Sequence, residues 1–437
     1  MTYDETLEYM FARLPMFTRI GAAAYKANLD NTLALCEAFD NPHLKFKSIH
    51  IAGTNGKGST SHMLAAIFHQ SGYKTGLYTS PHLKDFRERI KSSNKKTGIV
   101  DMVPQQFVID FIEKAKPIIE AIEPSFFELT VVMAFEFFAQ QKVDVAIIET
   151  GLGGRLDSTN VITPEISIIT NIGYDHMQIL GNTLKEIAGE KAGIIKPNVP
   201  VIISESLPET EPVFTAKATK EKAKIIFAEQ EYNIQSVKYG MQFMEVELLD
   251  NQHDVANIFT LDLPGVYQQK NLRTVSTAVK NLMSKWKKID ADSIAFALQN
   301  VKKLTGLHGR WELISTNPNV VLDVGHNVDG MEQITSQIDI LRHDAGIIHI
   351  VIGMVKDKDV DKVLQLLSPE FKYYFTNAHL PRAMAAAELQ EKGALLNLKG
   401  EAFDDVNEAI AKAKLAAKND DLIIVCGSVF LVGEVET

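Results

Sequence analysis

Apolar runs of strand length alternate along this chain with longer stretches of helical periodicity, and no other feature constrains the fold as much. A strand that returns parallel to its predecessor needs a crossover, usually a helix, so the alternation predicts a parallel α/β sheet. Lys47 to Ala52 reads as a strand, Gly53 to Gly58 as a turn and Ser59 to Gln70 as a helix. Met63, Leu64, Ile67 and Phe68 share one face of that helix, and Gly72 lies just past its end. Lys74 to Tyr78, Val143 to Glu149 and Ile166 to Thr170 read as further strands. Pro104 to Ile122 and Glu128 to Gln140 read as helices, with Pro117 placed to bend the first. Tyr232 to Leu263 differs: polar and apolar residues alternate, as in FMEVELL, which is expected of antiparallel strands. Two helices follow, Tyr267 to Lys285 and Asp292 to Val301. Lys302 to Gly309 carries two glycines and no long apolar run, so a boundary is expected there, between domains 1–303 and 304–437. Strand and helix then alternate again from Val320 to Cys426, predicting a smaller, Rossmann-like doubly wound α/β domain.

Composition narrows the function classes. The 437 residues are 46% hydrophobic and 23% charged, enough apolar material for a sizeable core. Asp and Glu outnumber Lys and Arg by 55 to 45, and the net charge of -10 argues against nucleic-acid binding, which depends on clustered cations. The longest oily stretch, Phe126 to Phe138, is broken by Glu128 and Glu136 and falls short of the roughly 20 residues that span a bilayer. MTYDETLEYM has no apolar signal core. Cys36 and Cys426 have no metal or redox spacing and read as buried free thiols. A cytoplasmic protein with neither membrane nor nucleic-acid partners is expected.

Chemistry concentrates at strand ends. Gly53-Thr54-Asn55-Gly56-Lys57-Gly58-Ser59 follows a strand and opens a helix. Glycines let successive N–H groups turn inward, the helix start adds its positive end, and Lys57 supplies a full charge for phosphates. Ser59 or Thr60 can face a magnesium ion. The spacing departs from G-x-x-x-x-G-K-[ST], because Gly58 separates Lys57 from Ser59. Ser80, in Thr79-Ser80-Pro81-His82, follows another strand and offers a hard oxygen donor, although Ser-Pro is also a common turn. Glu149 ends the run VDVAII, where a buried carboxylate needs a cation or donors. The three glycines of Gly151-Leu152-Gly153-Gly154 imply close approach to another backbone or to a ligand. His176 follows the strand ISIITNI, and Lys191 lies in an otherwise apolar stretch where burial beside a cation site would make its amine reactive. The bland readings are a structural histidine and a solvated lysine with a packed stem. In the second half, Gly309-Arg310 and Asp323-Val324-Gly325-His326-Asn327 fit nucleotide recognition, with a plain helix N-cap at Asn327 as the alternative.

Together these motifs resemble folylpolyglutamate synthase/dihydrofolate synthase, a branch of the Mur ligase family, over nearly the whole chain. The match runs from Asn41-Pro42 and His50 to Ser59, through Thr79 to Leu83, Glu88-Arg89-Ile90, Phe127 to Thr130, Glu149 to Asn160, Thr170 to His176 and Glu190 to Lys196, to Gly309-Arg310, Asp323, His326-Asn327 and Gly427 to Val435. Gly58, unusual for a nucleotide loop, is what this family's loop has. Mild departures are His308 where a proline is usual, Trp311 for a smaller aliphatic and Asp323-Val324-Gly325 for the commoner Asp-Gly-Ala.

The resemblance implies an ATP-dependent amide ligase of folate biosynthesis and one-carbon metabolism, which joins L-glutamate to dihydropteroate or a folate through an acyl phosphate. It implies that Gly53, Thr54, Asn55, Gly56, Lys57, Gly58, Ser59, Thr60, Asn271, Arg310 and Asp323 contact ATP. Ser125, Phe126, Phe127, Glu128, Leu156, Asp157 and Ser158 would line a pteroate pocket. Ser80, Glu149, His176 and Lys191, the last as a carbamate, would hold two magnesium ions. Lys57, His176 and Lys191 would act in catalysis, in a monomer. Two other readings compete. A cell-wall Mur ligase would take a UDP-muramyl precursor, but the 52 residues before Gly53 are too few for a UDP-binding domain. A regulatory nucleotide-binding module would not need the acid, histidine and lysine candidates.

Overall fold

The computed structural model describes residues 1–16, 21, 26, 28–342 and 345–436. Contacts divide them into two units: one of 1–236, 246–260 and 269–306, and one of 237–245, 261–268 and 307–437.

The first unit is built on an eight-stranded sheet. Its strands are β1 (Lys47–Ala52), β2 (Thr75–Tyr78), β3 (Ile90–Asn94), β4 (Ile99–Met102), β5 (Val145–Glu149), β6 (Ile166–Ile169), β7 (Val201–Ile203) and β8 (Ile225–Phe227), in the order β4-β3-β2-β5-β1-β6-β7-β8. From β2 to β8 every pairing is parallel; β3 and β4 form an antiparallel hairpin on the β2 edge. Strands β1, β5 and β6 run almost wholly buried, as parallel strands covered on both faces must. The Phe126–Gln141 helix is apolar around most of its circumference and packs into a cluster with Tyr78, Ile148, Phe39 and Phe111. A second cluster, with Ala52, Ile169, Ile187 and Val201, fills in around β6 and β7.

β9 (Tyr232–Tyr239), β10 (Met244–Asp250) and β11 (Val255–Leu261) form the expected sheet of alternating strands, in the order β11-β10-β9. The second unit holds a six-stranded sheet of β12 (Glu312–Ser315), β13 (Asn319–Leu322), β14 (Ile348–Ile352), β15 (Lys372–Phe375), β16 (Gly400–Ala402) and β17 (Leu422–Cys426), in the order β12-β13-β17-β14-β15-β16. It is parallel apart from β12 and matches the doubly wound expectation. Cys36 and Cys426 are both buried free thiols. Among the described residues, no helix is long and apolar enough to cross a membrane.

Two expectations are corrected. The helix after β1 spans Lys57–Gln70 and so starts two residues earlier than expected, because Gly56 at φ 83° serves as its N-cap and admits Lys57 to the first turn. The single helix expected over Asp292 to Val301 is instead two helices, Ala291–Gln299 and Val301–Thr305, the second closed by left-handed Gly306.

Candidate active site

Parallel pairing brings the C-terminal ends of β1, β2, β5 and β6 to one edge, where doubly wound sheets bind ligands. Ile51 pairs with Glu149, Ala52 with Ile169 and Tyr78 with Ile148. The residues that follow these strands build the site.

The loop after β1 is fastened to the segment after β6. Thr54 N–H donates to Asn171 O at 3.0 Å, and Asn55 N–H to Asn171 Oδ1 at 2.7 Å. Thr170 Oγ1 donates to Asn55 O at 2.5 Å, while Thr54 Oγ1 and the Gly173 backbone exchange bonds of 3.1 and 2.9 Å. A Cβ on Gly53 would overlap Thr170 Oγ1, and one on Gly56 would stand 2.5 Å from Asn271 Oδ1. Only glycine fits at either position, and Asn271 therefore lies directly on the loop. Gly58 and Ser59 continue into the helix, where Thr60 Oγ1 is buried without a hydrogen-bond partner among the described residues.

Two ammonium groups converge on one carbonyl. Lys57 Nζ donates to Gly53 O at 3.1 Å and Thr54 O at 3.3 Å, folding back over its own loop. Lys191 Nζ, fully buried, donates to the same Gly53 O at 2.9 Å. Burial, and after it the Lys57 charge, pulls the Lys191 pKa from 10.5 to about 7. Neither lysine makes an ion pair among the described residues; Asp175 and Asp157 act on Lys191 only through the field. This lysine is therefore the buried one anticipated from its apolar surroundings, with no solvated head.

Glu149 is buried at the end of β5, and its Oε2 accepts from Ser80 N–H at 3.3 Å, which joins two of the anticipated metal donors. The glycine loop after it approaches another backbone, as its composition implied. A Cβ on Gly154 would stand 2.8 Å from Lys191 O and 3.0 Å from Lys191 Cα. Arg155 pairs with Glu190 at 2.8 Å on the outer side. His176 stands at the left-handed start (φ 49°) of a short helix, Met177–Leu180, with Nε2 3.9 Å from Asp175 Oδ1. Among the described residues, no three His, Cys, Asp or Glu side chains form a metal-binding group.

The anticipated pteroate residues fall on two neighbouring elements. Ser125 and Glu128 close a capping box at the start of the Phe126–Gln141 helix: Glu128 N–H donates to Ser125 Oγ at 3.2 Å, and Ser125 N–H to Glu128 Oε2 at 2.6 Å. Glu128 Oε1 is buried without a partner among the described residues. Phe126 turns into the core against Phe86 and Phe11, whereas half-buried Phe127 lies over Gly151 and 6.2 Å from the Tyr78 ring. Leu156 is half-buried and Ser158 buried. Asp157 is buried and caps the turn Ser158–Val161; burial raises its pKa, and several hydrogen bonds oppose that rise without cancelling it.

In the second unit, Asp323 follows β13 and accepts from Tyr267 O–H at 2.7 Å, Trp311 N–H at 2.9 Å and Gly325 N–H at 2.9 Å. Burial raises its pKa, and Arg310 opposes that rise through the field. Tyr267 was not anticipated, because a lone tyrosine after a Pro-Gly turn gives no sequence signal. Asn327 caps the Val328–Leu341 helix by accepting from Gly330 N–H at 2.8 Å, as its plain reading held.

These residues suit a triphosphate with magnesium. The Lys57 ammonium, without an ion pair among the described residues, calls for an anion, the loop admits no side chain at Gly53 or Gly56, and Ser80 and Glu149 are the hard oxygen donors that magnesium prefers.

Comparison with known proteins bears on the same residues. A family model for the Mur ligase middle domain matches residues 51–279, and one for the Mur ligase glutamate ligase domain matches 309–429. The chain is 31% identical over 449 residues to the dihydrofolate synthase/folylpolyglutamate synthase of Bacillus subtilis, covering 99% of this chain and 98% of that protein. Identity to the folylpolyglutamate synthase of Lacticaseibacillus casei is 31% over 450 residues, covering 100% and 98%. Among solved structures, E. coli FolC in complex with DHPP and ADP superposes with a TM-score of 0.85 at 27% identity, covering 99% of this chain and 96% of that one.

Proposed function

The chain belongs to the folylpolyglutamate synthase/dihydrofolate synthase branch of the Mur ligase family, and from that premise we propose how it carries out ATP-dependent glutamate ligation in folate metabolism. The observation that carries the proposal is the convergence of Lys57 and Lys191 on Gly53 O, beside the strand that ends in Glu149.

A carboxylate is a poor electrophile, so one of its oxygens first attacks the γ-phosphorus of ATP. The β,γ-bridging bond breaks, ADP departs and an acyl phosphate forms. The amine of L-glutamate then attacks the acyl carbon, loses a proton, and phosphate leaves with the oxygen that attacked. Triphosphate, carboxylate and glutamate are all anions, so cations must stand between them. The inward-facing backbone of Gly53 to Thr60 cradles the phosphates, and Lys57 swings from the loop carbonyls to the β- and γ-phosphates. Asn271, Arg310 and Asp323 hold the rest of the nucleotide. Ser125 to Glu128 and Leu156 to Ser158 hold the pteroate, with Phe127 against the flat ring and Asp157 accepting from its N–H groups. Ser80, Glu149 and His176, with Lys191 as its carbamate, would hold magnesium, which screens charge on the transferring phosphoryl group. The lowered Lys191 pKa supports the carbamate, because only a neutral amine adds to carbon dioxide. Residues 1–303 then form the ATP- and folate-binding module and 304–437 the glutamate ligase module of a cytoplasmic monomer.

A substrate panel tests this reading. With ATP and L-glutamate, addition of dihydropteroate or a reduced folate should release phosphate and yield a product one glutamyl unit heavier by mass spectrometry. Turnover with a UDP-muramyl precursor alone would overturn it.

A further inference from the structure

His50 lies in β1, wholly buried, with Nε2 2.8 Å from Thr159 Oγ1. Thr159, 109 residues further along the chain, is buried too. Its hydroxyl donates to Asp157 Oδ1, and its backbone N–H reaches the same oxygen at 3.0 Å. The second carboxylate oxygen accepts from Leu152 N–H at 2.8 Å. Donors therefore meet Asp157 on both oxygens, an arrangement that suits the carboxylate form. A hydroxyl has a single proton to give. Thr159 gives its proton to Asp157 and so must accept one from His50. That requirement puts a hydrogen on His50 Nε2. His50 Nδ1 is buried without a partner among the described residues, which a bare acceptor tolerates better than an orphaned N–H does. Burial also holds the imidazole neutral, with its pKa pulled down to about 3.

We propose that His50 and Thr159 form a buried donor chain, Nε2–H to hydroxyl to carboxylate, which positions Asp157 for pteroate binding. The proposal rests on the reading of Asp157 as a wall of the pteroate pocket. Neither His50 nor Thr159 touches substrate; both are positioning residues. The glycine loop before Asp157 has little rigidity of its own, so the central strand supplies the anchor. A Thr159 without its hydroxyl would leave Asp157 with one fewer charge-assisted bond and His50 with a buried N–H facing nothing.

Steady-state kinetics on the full-length chain test the chain of donors. Thr159→Val and His50→Leu should each raise the KM for the pteroate substrate about tenfold, the scale of one lost bond to a charged group, with the ATP KM within about twofold. Thr159→Ser keeps the hydroxyl and should stay within about twofold of the parent in both. A Ser variant as impaired as the Val variant, or equal rises in both KM values, would overturn the proposal. Asp157→Asn separates the two layers of the argument. A raised pteroate KM in Asp157→Asn with none in Thr159→Val or His50→Leu removes the donor chain and spares the pocket. An unchanged pteroate KM in Asp157→Asn removes the pocket reading and the chain with it. Nitrogen-15 NMR of the His50 ring should report the neutral Nε2–H tautomer; an Nδ1–H ring would contradict the chain independently of activity.

Discussion

Lys57→Ala should lower kcat/KM for ATP on the order of 10³-fold while the protein stays folded, the scale of removing one preorganised charge from a phosphoryl-transfer site. The ammonium contributes little to packing: its partners are the Gly53 and Thr54 carbonyls of its own loop, and the residue is half-buried. The loop itself is held by Asn171, Thr170 and Gly173, none of which involves Lys57. Circular dichroism and the melting temperature should therefore remain near those of the parent while phosphate release collapses. Near-parental turnover would remove the nucleotide assignment of the loop.

The second large effect belongs to Lys191. Lys191→Ala should cost on the order of 10²–10³ in kcat, and Lys191→Arg should be no milder, because arginine keeps its charge and cannot form a carbamate. A short carboxylate such as formate should restore part of the activity of the alanine variant by supplying the missing anionic oxygens, and should do nothing for the arginine variant, whose side chain still fills the place. Stability should move the other way. The folded-state pKa is about 7 against 10.5, so the unfolded chain binds more protons between those values. This group therefore makes the fold gain stability as pH rises from 7 to 10.5, and it weighs most against folding below about 7. Lys191→Met should thus hold or raise the melting temperature at pH 7 while activity is lost. An active Lys191→Arg enzyme would contradict the carbamate assignment.

The central strands were legible because each is a short, mostly apolar run. β1, Lys372–Phe375 and Leu422–Cys426 fall where their composition places them. The β3–β4 hairpin was not, because Lys91 and Ser92 are polar yet buried. Lys91 Nζ donates to Thr305 O at 2.7 Å, a partner 214 residues away that no local pattern reveals. Lys95 and Lys96 at its turn are exposed, as a solvated pair should be. Within the site, the strand-end residues could be read as chemistry-bearing one by one, but not their meeting. Lys191 reaches Gly53 across 138 residues, and Gly154 is a glycine because the backbone of Lys191 lies against it. Tyr267 on Asp323 and His50 on Thr159 are likewise pairings made by the sheet, not by spacing.

Oxygen tracing tests the central chemical claim most directly. Dihydropteroate, or the folate substrate that the chain accepts, is labelled with oxygen-18 in both oxygens of the reacting carboxylate and turned over once with ATP and L-glutamate. An acyl phosphate requires that one labelled oxygen leave with the released phosphate and the other remain in the new amide. Phosphate carrying one oxygen-18 is the predicted result; unlabelled phosphate alongside a glutamylated product would contradict the account.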